Sequence, residues 1–283
     1  MKLVRYGDAG KEKPGLMDAQ GTIRDLSGVI RDIDGSAISD DGLAKLRGVD
    51  VNSLPKVSGN PRLGVPVASV QKLICIGLNY SDHAKESNMP IPTEPVVFMK
   101  AVSALTGPND TVILPKGAKK GDWEVELAFV IGKTARSVAE KDALDYVAGY
   151  TICNDVSERH FQVERSGQWM KGKCAETFGP LGPWLVTTDE IKDVQNLDMF
   201  LDVNGQRRQT GNTKTMIFGI AHLLHYISQF MVLDPGDVVT TGTPPGVALG
   251  MKPTPIFLKA GDVMHLGIQG LGEQTQKLVP FRE

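Results

Sequence analysis

The sequence predicts an α+β fold dominated by strands, and three observations carry that expectation. The apolar runs at residues 72–76, 96–99, 112–114 and 150–153 have strand length and are bounded by Gly, Pro, Asn and Asp. Helical spacing of apolar residues is confined to a few segments, the longest over residues 218–231. Strands and helices do not alternate regularly, which argues against a doubly wound α/β sheet. A chain of 283 residues is long enough for a large core and for two domains or one large one.

Taken in order, residues 1–65 are rich in Gly, Asp and short apolar runs. They read as a small N-terminal domain of strands and turns with a weak helix near Asp40–Arg47. Residues 54–66 hold three prolines and two glycines and read as a linker or extended arm. The second domain, 66–283, starts with the strand-length runs and a Lys/Gly loop at 116–121. Ser137-Val138-Ala139-Glu140 has the form of a capping box. It predicts a helix through Ala143, Leu144, Val147 and Ala148 that stops at Gly149. Residues 157–165 read as a short helix and 166–183 as a Gly-rich loop. Residues 197–205 alternate and then turn at Asn204-Gly205, a strong hairpin signal. The helix at 218–231 carries the stripe Ile220, Leu223, Leu224, Ile227 and Met231. After Asp234-Pro235-Gly236-Asp237 the pattern is strand and turn only.

Bulk properties exclude several functions. With 31 basic and 33 acidic residues the net charge is -2, and no strong field argues for nucleic acid or an anionic membrane. The expected partner is a small anionic molecule. Three cysteines without metal spacing read as reduced thiols in an intracellular protein. No apolar run approaches the roughly 20 residues of a membrane span, and Met1–Tyr6 has no signal core, so the expected location is the cytoplasm.

The chemistry centres on Trp123-Glu124-Val125-Glu126-Leu127, where two carboxylates sit on alternate residues of an apolar strand. Residues two apart face the same side, roughly 7 Å apart at the backbone. Paired carboxylates invite a hard divalent cation such as Mg²⁺ or Ca²⁺, although a solvated strand face would look the same. Asp155, after the strand at 150–153, adds a third carboxylate, or else caps the helix at 157–165. His83 and Glu86 share a helical face if their segment is helical, so Glu86 can orient His83 as a base toward water. A surface ion pair has the same spacing. Lys171 and Lys173 on the Gly-rich loop are candidate partners for an anion, and the turn Thr240–Gly246 offers N–H groups to a carboxylate. His222 and His225 lack carboxylate partners in the sequence pattern, and His160 and His265 say little.

At these residues the chain resembles the fumarylacetoacetate hydrolase family, over about residues 70–281. The likeness rests on Gly77-Leu78-Asn79-Tyr80 with Asp82-His83 and Glu86, then Glu94-Pro95 and Phe98-Met99-Lys100. It continues through Glu124-Val125-Glu126, Gly149-Tyr150, Asn154-Asp155-Val156-Ser157-Glu158-Arg159 with Gln162, Gly172-Lys173, Thr177-Phe178-Gly179-Pro180 and Thr241-Gly242-Thr243-Pro244. The resemblance implies a mixed β-sandwich roll, a homodimer, and a divalent metal (Mg²⁺, or Mn²⁺ or Ca²⁺) on Glu124, Glu126 and Asp155. It also implies a His83–Glu86 pair and a lysine at Lys173 in catalysis, with Arg159, Gln162 and Thr243 contacting substrate. The chain departs from many relatives at His160, where they carry Asp, and at Cys174-Ala175, where they carry Ser-Phe. The stretch from Asn154 to Pro183 looks most like the sugar-acid branch, with 2,4-diketo-3-deoxy-L-fuconate and -rhamnonate hydrolases, whose members often carry the name ureidoglycolate lyase.

The expected activity is therefore metal-dependent hydrolysis of a C–C bond in a 2,4-diketo acid, releasing pyruvate. The alternatives are decarboxylation, isomerisation or lyase chemistry on the same scaffold, or a silent metal-binding β protein. Asn88-Met89-Pro90-Ile91-Pro92-Thr93, just after the proposed base, is expected to form a mobile lid.

Overall fold

The computed structural model describes residues 1–86 and 88–281. A ten-stranded sheet forms the centre. Its order across the molecule is Ile23–Asp25, Lys13–Met17, Lys2–Tyr6, Gly179–Thr187, Val147–Asn154, Val125–Ile131, Val238–Thr240, Leu73–Gly77 and Val96–Lys100, with Leu105–Thr106 pairing Gly179–Thr187 off that path. A five-stranded sheet orders Gln206–Asn212, Asp198–Val203, Val263–Ile268, Gly272–Val279 and Val112–Ile113. A two-stranded ribbon joins Ser157–Glu158 to Gly121–Asp122. Among the described residues neither large sheet closes on itself, and the fold is strand-dominated α+β as the sequence predicts.

The strand Val125–Ile131 is buried along its whole length, because both faces of the central sheet are covered. Leu127, Phe129 and Ile131 face Leu201, Met264 and Leu266 of the second sheet and Leu223 and Ile227 of the helix Ile220–Ile227. Ala128 and Val130 face the other way, into a cluster with Leu3, Leu16, Ile33 and Leu73. Glu124 and Glu126 have the parity of Ala128 and Val130, so they continue that second face at the start of the strand.

Register explains why this end of the strand carries the site. Val125 lies opposite Asn154, the last residue of its antiparallel neighbour. Ala128 lies opposite Thr240, the last residue of Val238–Thr240, which runs parallel to Leu73–Gly77. Three strand ends and one strand start therefore meet at one edge, and the loops that follow them are brought together.

Residues 1–65 add three strands to the same central sheet through Lys2↔Val186 and Leu3↔Leu185. The helix Asp40–Arg47 forms where expected, with Ser39 capping Gly42 N–H at 3.2 Å. The proline-rich segment 54–66 lies extended along these strands through bridges Tyr6↔Leu63 and Arg24↔Lys56. Arg62 ties it down with two bonds to Asp110, 2.7 and 2.6 Å, and one of 2.9 Å to Glu12.

The capping-box helix is not formed. Residues Glu140–Tyr146 make a 3-10 helix, Ala139 precedes it without a side-chain cap, and Ser137 adopts φ 44°. Val147, Ala148 and Gly149 belong instead to the strand Val147–Asn154. Burial in the central sheet outweighed the local helical spacing. Gly149 is a close-approach residue rather than a stop signal, since a Cβ there would lie 2.3 Å from the carbonyl oxygen of Val186. The segment 157–165 is also divided, with Ser157–Glu158 extended and only Arg159–Val163 helical. The Gly-rich loop contains a one-turn helix, Met170–Lys173. The Asn204-Gly205 hairpin forms as expected, with φ 52° and 74° at the turn. The expected helix at 218–231 is shorter, Ile220–Ile227. Among the described residues no helix is long and apolar enough to cross a membrane.

Candidate active site

Glu126 lies in the strand Val125–Ile131, Glu124 just before it, and Asp155 just after Val147–Asn154. The Asp155 N–H donates to the Glu124 carbonyl at 2.9 Å, which locks the two chain segments together. One carboxylate oxygen from each acid lies within 4.8 Å of the others, and all three residues are buried. Asp155 does not cap the following helix. That role falls to Glu158, which accepts from Phe161 N–H at 2.6 Å.

Cations surround two of the three acids. Lys173 Nζ donates to Glu124 Oε2 and Asp155 Oδ2, both at 2.7 Å. Lys100 Nζ, fully buried, donates to Asp155 Oδ1 at 2.5 Å and to the Val156 carbonyl at 3.1 Å. Arg159 Nη2 donates to Glu124 Oε1 at 2.5 Å. Burial pushes Glu124 up, but Lys173 and Arg159 overcome it and hold the carboxyl at about 2. Burial lowers Lys173, and Asp155 and Glu124 more than restore it, so the ammonium is held charged.

Glu126 differs. Its Oε2 accepts the Gly242 N–H at 3.0 Å, and no cation is bonded to it among the described residues. Burial, then the charges of Asp155 and Glu124, push its carboxyl well above the usual range. The missing positive charge, the all-oxygen donor set and the close convergence of three acids fit a hard divalent cation. Glu124, Glu126 and Asp155 are the residues that would hold it.

His83 and Glu86 share the helix Ser81–Glu86, and His83 Nδ1 lies 3.3 Å from Glu86 Oε2, as the spacing predicts. Glu86 also accepts the Gly246 N–H at 3.1 Å, which ties the pair to the turn after Val238–Thr240. Gln162 Oε1 accepts from Arg159 Nη1 at 2.9 Å. The Thr243 hydroxyl donates to the Val125 carbonyl at 2.9 Å and accepts from Gln209 at 2.8 Å. His83, Glu86, Glu124, Glu126, Asp155, Arg159, Gln162, Lys173 and Thr243 all line one cavity of about 500 Å³. That size suits a small-molecule site.

Other candidates fall outside it. Lys171 turns away and bonds the Arg165 carbonyl at 3.0 Å. His160 and Cys174 adjoin Arg159 and Lys173 in sequence but are not among the lining residues. His222, expected to lack a carboxylate, pairs with Glu140 at 3.1 Å. The turn at 240–246, which does line the cavity through Gly242 and Thr243, holds two carboxylates, and both are the protein's own, Glu126 on the Gly242 N–H and Glu86 on the Gly246 N–H.

Two residues that sequence reasoning passed over matter here. Lys100 was part of a motif without an assigned role. Asp122, fully buried, accepts from Arg159 Nε at 2.7 Å and from the N–H groups of Ala248 and Leu249 at 2.7 and 3.1 Å. It aims the guanidinium and anchors the wall segment that holds Leu249. A signal was available, since Asp122, Glu124 and Glu126 form an alternating acidic series.

Comparison with known proteins agrees with this geometry. The sequence profile of the fumarylacetoacetate (FAA) hydrolase C-terminal region matches residues 72–279. A Burkholderia lata protein, named only as a candidate hydrolase, is 59% identical over 276 residues, covering 98% of each chain. The fumarylacetoacetate hydrolase of Exiguobacterium antarcticum superposes with a TM-score of 0.87 at 35% identity, covering 99% of this chain and 100% of that one. The maleylpyruvate hydrolase of Sphingobium sp. SYK-6, solved with manganese(II) and pyruvate, superposes at 0.83 with 30% identity, over 100% of both chains. A 5-carboxymethyl-2-hydroxymuconate delta-isomerase from Mycobacterium smegmatis superposes at 0.77 with 30% identity, again over 100% of both. With a buried acidic triad, a lysine and a histidine–glutamate pair around one cavity, and with relatives matched along nearly its whole length, the chain belongs to the fumarylacetoacetate hydrolase family.

Proposed function

We propose that the protein is a divalent-metal-dependent hydrolase of acylpyruvates, cleaving the C3–C4 bond of a 2,4-diketo acid to release pyruvate. The observation that carries this reading is the placement of the acidic triad, Lys173 and the His83–Glu86 pair around a single cavity. A cation bound at the triad would supply Lewis-acid stabilisation for negative charge developing on a 2-oxo oxygen. Arg159 and Lys173 offer positive charge to the substrate carboxylate, and Asp122 keeps the guanidinium aimed at the cavity. His83, oriented by Glu86, takes a proton from water as the water oxygen bonds to C4. The C3–C4 pair leaves as the enolate of pyruvate, and the proton is returned to C3. The Sphingobium enzyme with manganese(II) and pyruvate supports both the metal and the product. The sequence resemblance favours a sugar-acid acyl chain within this class, and also a homodimer.

A second reading is isomerisation of a 2-oxo acid, which the isomerases among the structural neighbours favour, or its decarboxylation on the same scaffold. Those reactions need enolate stabilisation without an attacking water, so the base becomes the discriminating residue. Pyruvate release from a panel of 2,4-diketo acids, with and without EDTA, tests the reading. Release should require Mg²⁺ or Mn²⁺, and His83→Ala should lower it by about a hundredfold or more. Full release after exhaustive chelation would sink the metal reading. Loss of hydrolysis in the variant with oxaloacetate decarboxylation retained would favour the second.

A further inference from the structure

The cavity has two chemically different ends. At the inner end the polar side chains are largely engaged with each other. The Thr243 hydroxyl has both a donor and an acceptor partner, and the Gln162 carbonyl is taken by Arg159. The outer end is walled by Val96, Phe98, Val163, Trp169, Leu249 and Met251, with the exposed Lys252 beside Met251 as a charged residue at the rim. At its mouth Val163 is 48% and Leu249 47% exposed. Large apolar side chains gathered open to water around one cavity mark a surface that an apolar ligand would cover.

The outer walls are built before any ligand arrives. Phe98 stands at the junction, with the Lys173 ammonium 5.4 Å from its ring centroid. Trp169 also meets that ring edge to face, at 5.3 Å and 72°. Trp169 lies against the end of the strand Leu73–Gly77. A Cβ at Gly77 would fall 2.6 Å from its Cζ3, so only glycine leaves space for the indole. The facing wall is held too, because the Ala248 and Leu249 N–H groups are bonded to buried Asp122.

We propose that this outer end is a subsite for an apolar acyl chain, alkyl or aryl, and that Trp169 and Leu249 select it over a polyhydroxylated chain. The proposal rests on the reading of the inner end as a 2-oxo acid site. Each methylene buried there should strengthen binding about fourfold. Each hydroxyl desolvated against Trp169 or Leu249 without a partner should weaken it about tenfold. The wall thus argues against the sugar-acid chain that the sequence resemblance favours.

The test measures binding rather than turnover. Dissociation constants are taken by calorimetry on the full chain with Mg²⁺ for pyruvate, 2-oxobutanoate, 2-oxohexanoate, 2-oxooctanoate and 2-oxo-3-deoxyhexonate. None of these has the C4 carbonyl needed for cleavage, so the result does not depend on hydrolysis. Affinity should rise along the alkyl series, and 2-oxohexanoate should bind at least about tenfold tighter than its hydroxylated counterpart of equal carbon chain. Trp169→Ala and Leu249→Ala should each flatten the ratio of pyruvate to 2-oxooctanoate affinity. Leu249 is half-exposed, so its variant carries the test if the tryptophan variant does not fold. A flat alkyl series, or equal or tighter binding of the hydroxylated acid, overturns the subsite. A rising series without pyruvate release from any 2,4-diketo acid upholds the subsite and removes the hydrolase reading. Absence of binding by every 2-oxo acid, pyruvate included, overturns both.

Discussion

Glu124 and Glu126 stand two residues apart, yet their surroundings set them opposite tasks. Glu124 balances Lys173 and Arg159, whereas Glu126 has no cationic partner among the described residues and is pushed toward its neutral form. Replacing each by glutamine should separate the roles. Glu126→Gln should abolish metal-dependent turnover while leaving thermal stability without added metal unchanged or higher, because a neutral amide neither resists burial as a carboxylate does nor is repelled by Asp155 and Glu124. Glu124→Gln should also end turnover, but it leaves two buried cations short of a partner and should cost about 3 kcal/mol or more of stability. Activity assays and melting curves of the two variants with EDTA check this. Equal melting temperatures would show that Lys173 and Arg159 are satisfied elsewhere. Glu124 and Glu126 were legible because strand parity is local and strict, and Asp155 because it follows a buried strand-length run. Asp122 shares that parity, but its contact with Arg159 and that of Lys100 with Asp155 were not legible, because the partners lie far along the chain. Asp155 and Lys100 are 55 residues apart, and Asp122 and Arg159 are 37 apart.

At the scale of elements, the cavity is bounded by two kinds of backbone. The triad sits at the ends of central strands, whereas Met89 projects from an irregular segment and Leu249 from the short 3-10 helix Ala248–Gly250. Met89 and Ile91 are 51% and 59% exposed, on the segment expected to act as a lid. The exchange of amide hydrogens at 88–93 should slow severalfold when pyruvate and Mg²⁺ are added, since closure over acid–base chemistry excludes water. Equal exchange in both states would leave the segment as a fixed wall. Elements whose pattern agreed with their burial were read correctly, as with Asp40–Arg47 and the Asn204-Gly205 hairpin. Val147 and Ala148 misled because apolar residues that continue a helical spacing are equally at home in a fully buried strand, and only the neighbouring strand at Val186 decides between them.

At the scale of the whole molecule, distant chain segments are fastened by a few partly buried ion pairs. Asp110 joins the proline-rich segment at Arg62 to the loop before Val112–Ile113. Burial raises its carboxyl, but the bond from Arg62, with Thr106 and Gly107, outweighs that and holds it below the usual value. A lowered folded value means that this stabilisation is present above the unfolded value of about 4. It is lost as the pH falls through the folded one. The melting temperature should therefore decline as the pH falls below about 4, and Asp110→Asn should lower the neutral-pH melting temperature while weakening that acid-side decline. An unchanged acid profile in the variant would assign the decline to other carboxylates.

The three strands contributed by residues 1–65 also decide how the central sheet ends. Without Lys2–Tyr6, the strand Gly179–Thr187 would offer its unpaired N–H and C=O groups, with Leu185 beside them, to any passing chain. As folded, the outermost strand on that side is Ile23–Asp25, three residues long and two of them charged, with Arg24 bonded to Asp18 at 2.8 Å. Its outer edge is already taken by the proline-rich segment, through the Asp25 N–H to the Pro55 carbonyl and the Val57 N–H to the Ile23 carbonyl, both at 2.9 Å, which leaves an incoming strand little to zip onto. The first residues of the chain thus close this side of the central sheet, and their loss should be felt first as aggregation.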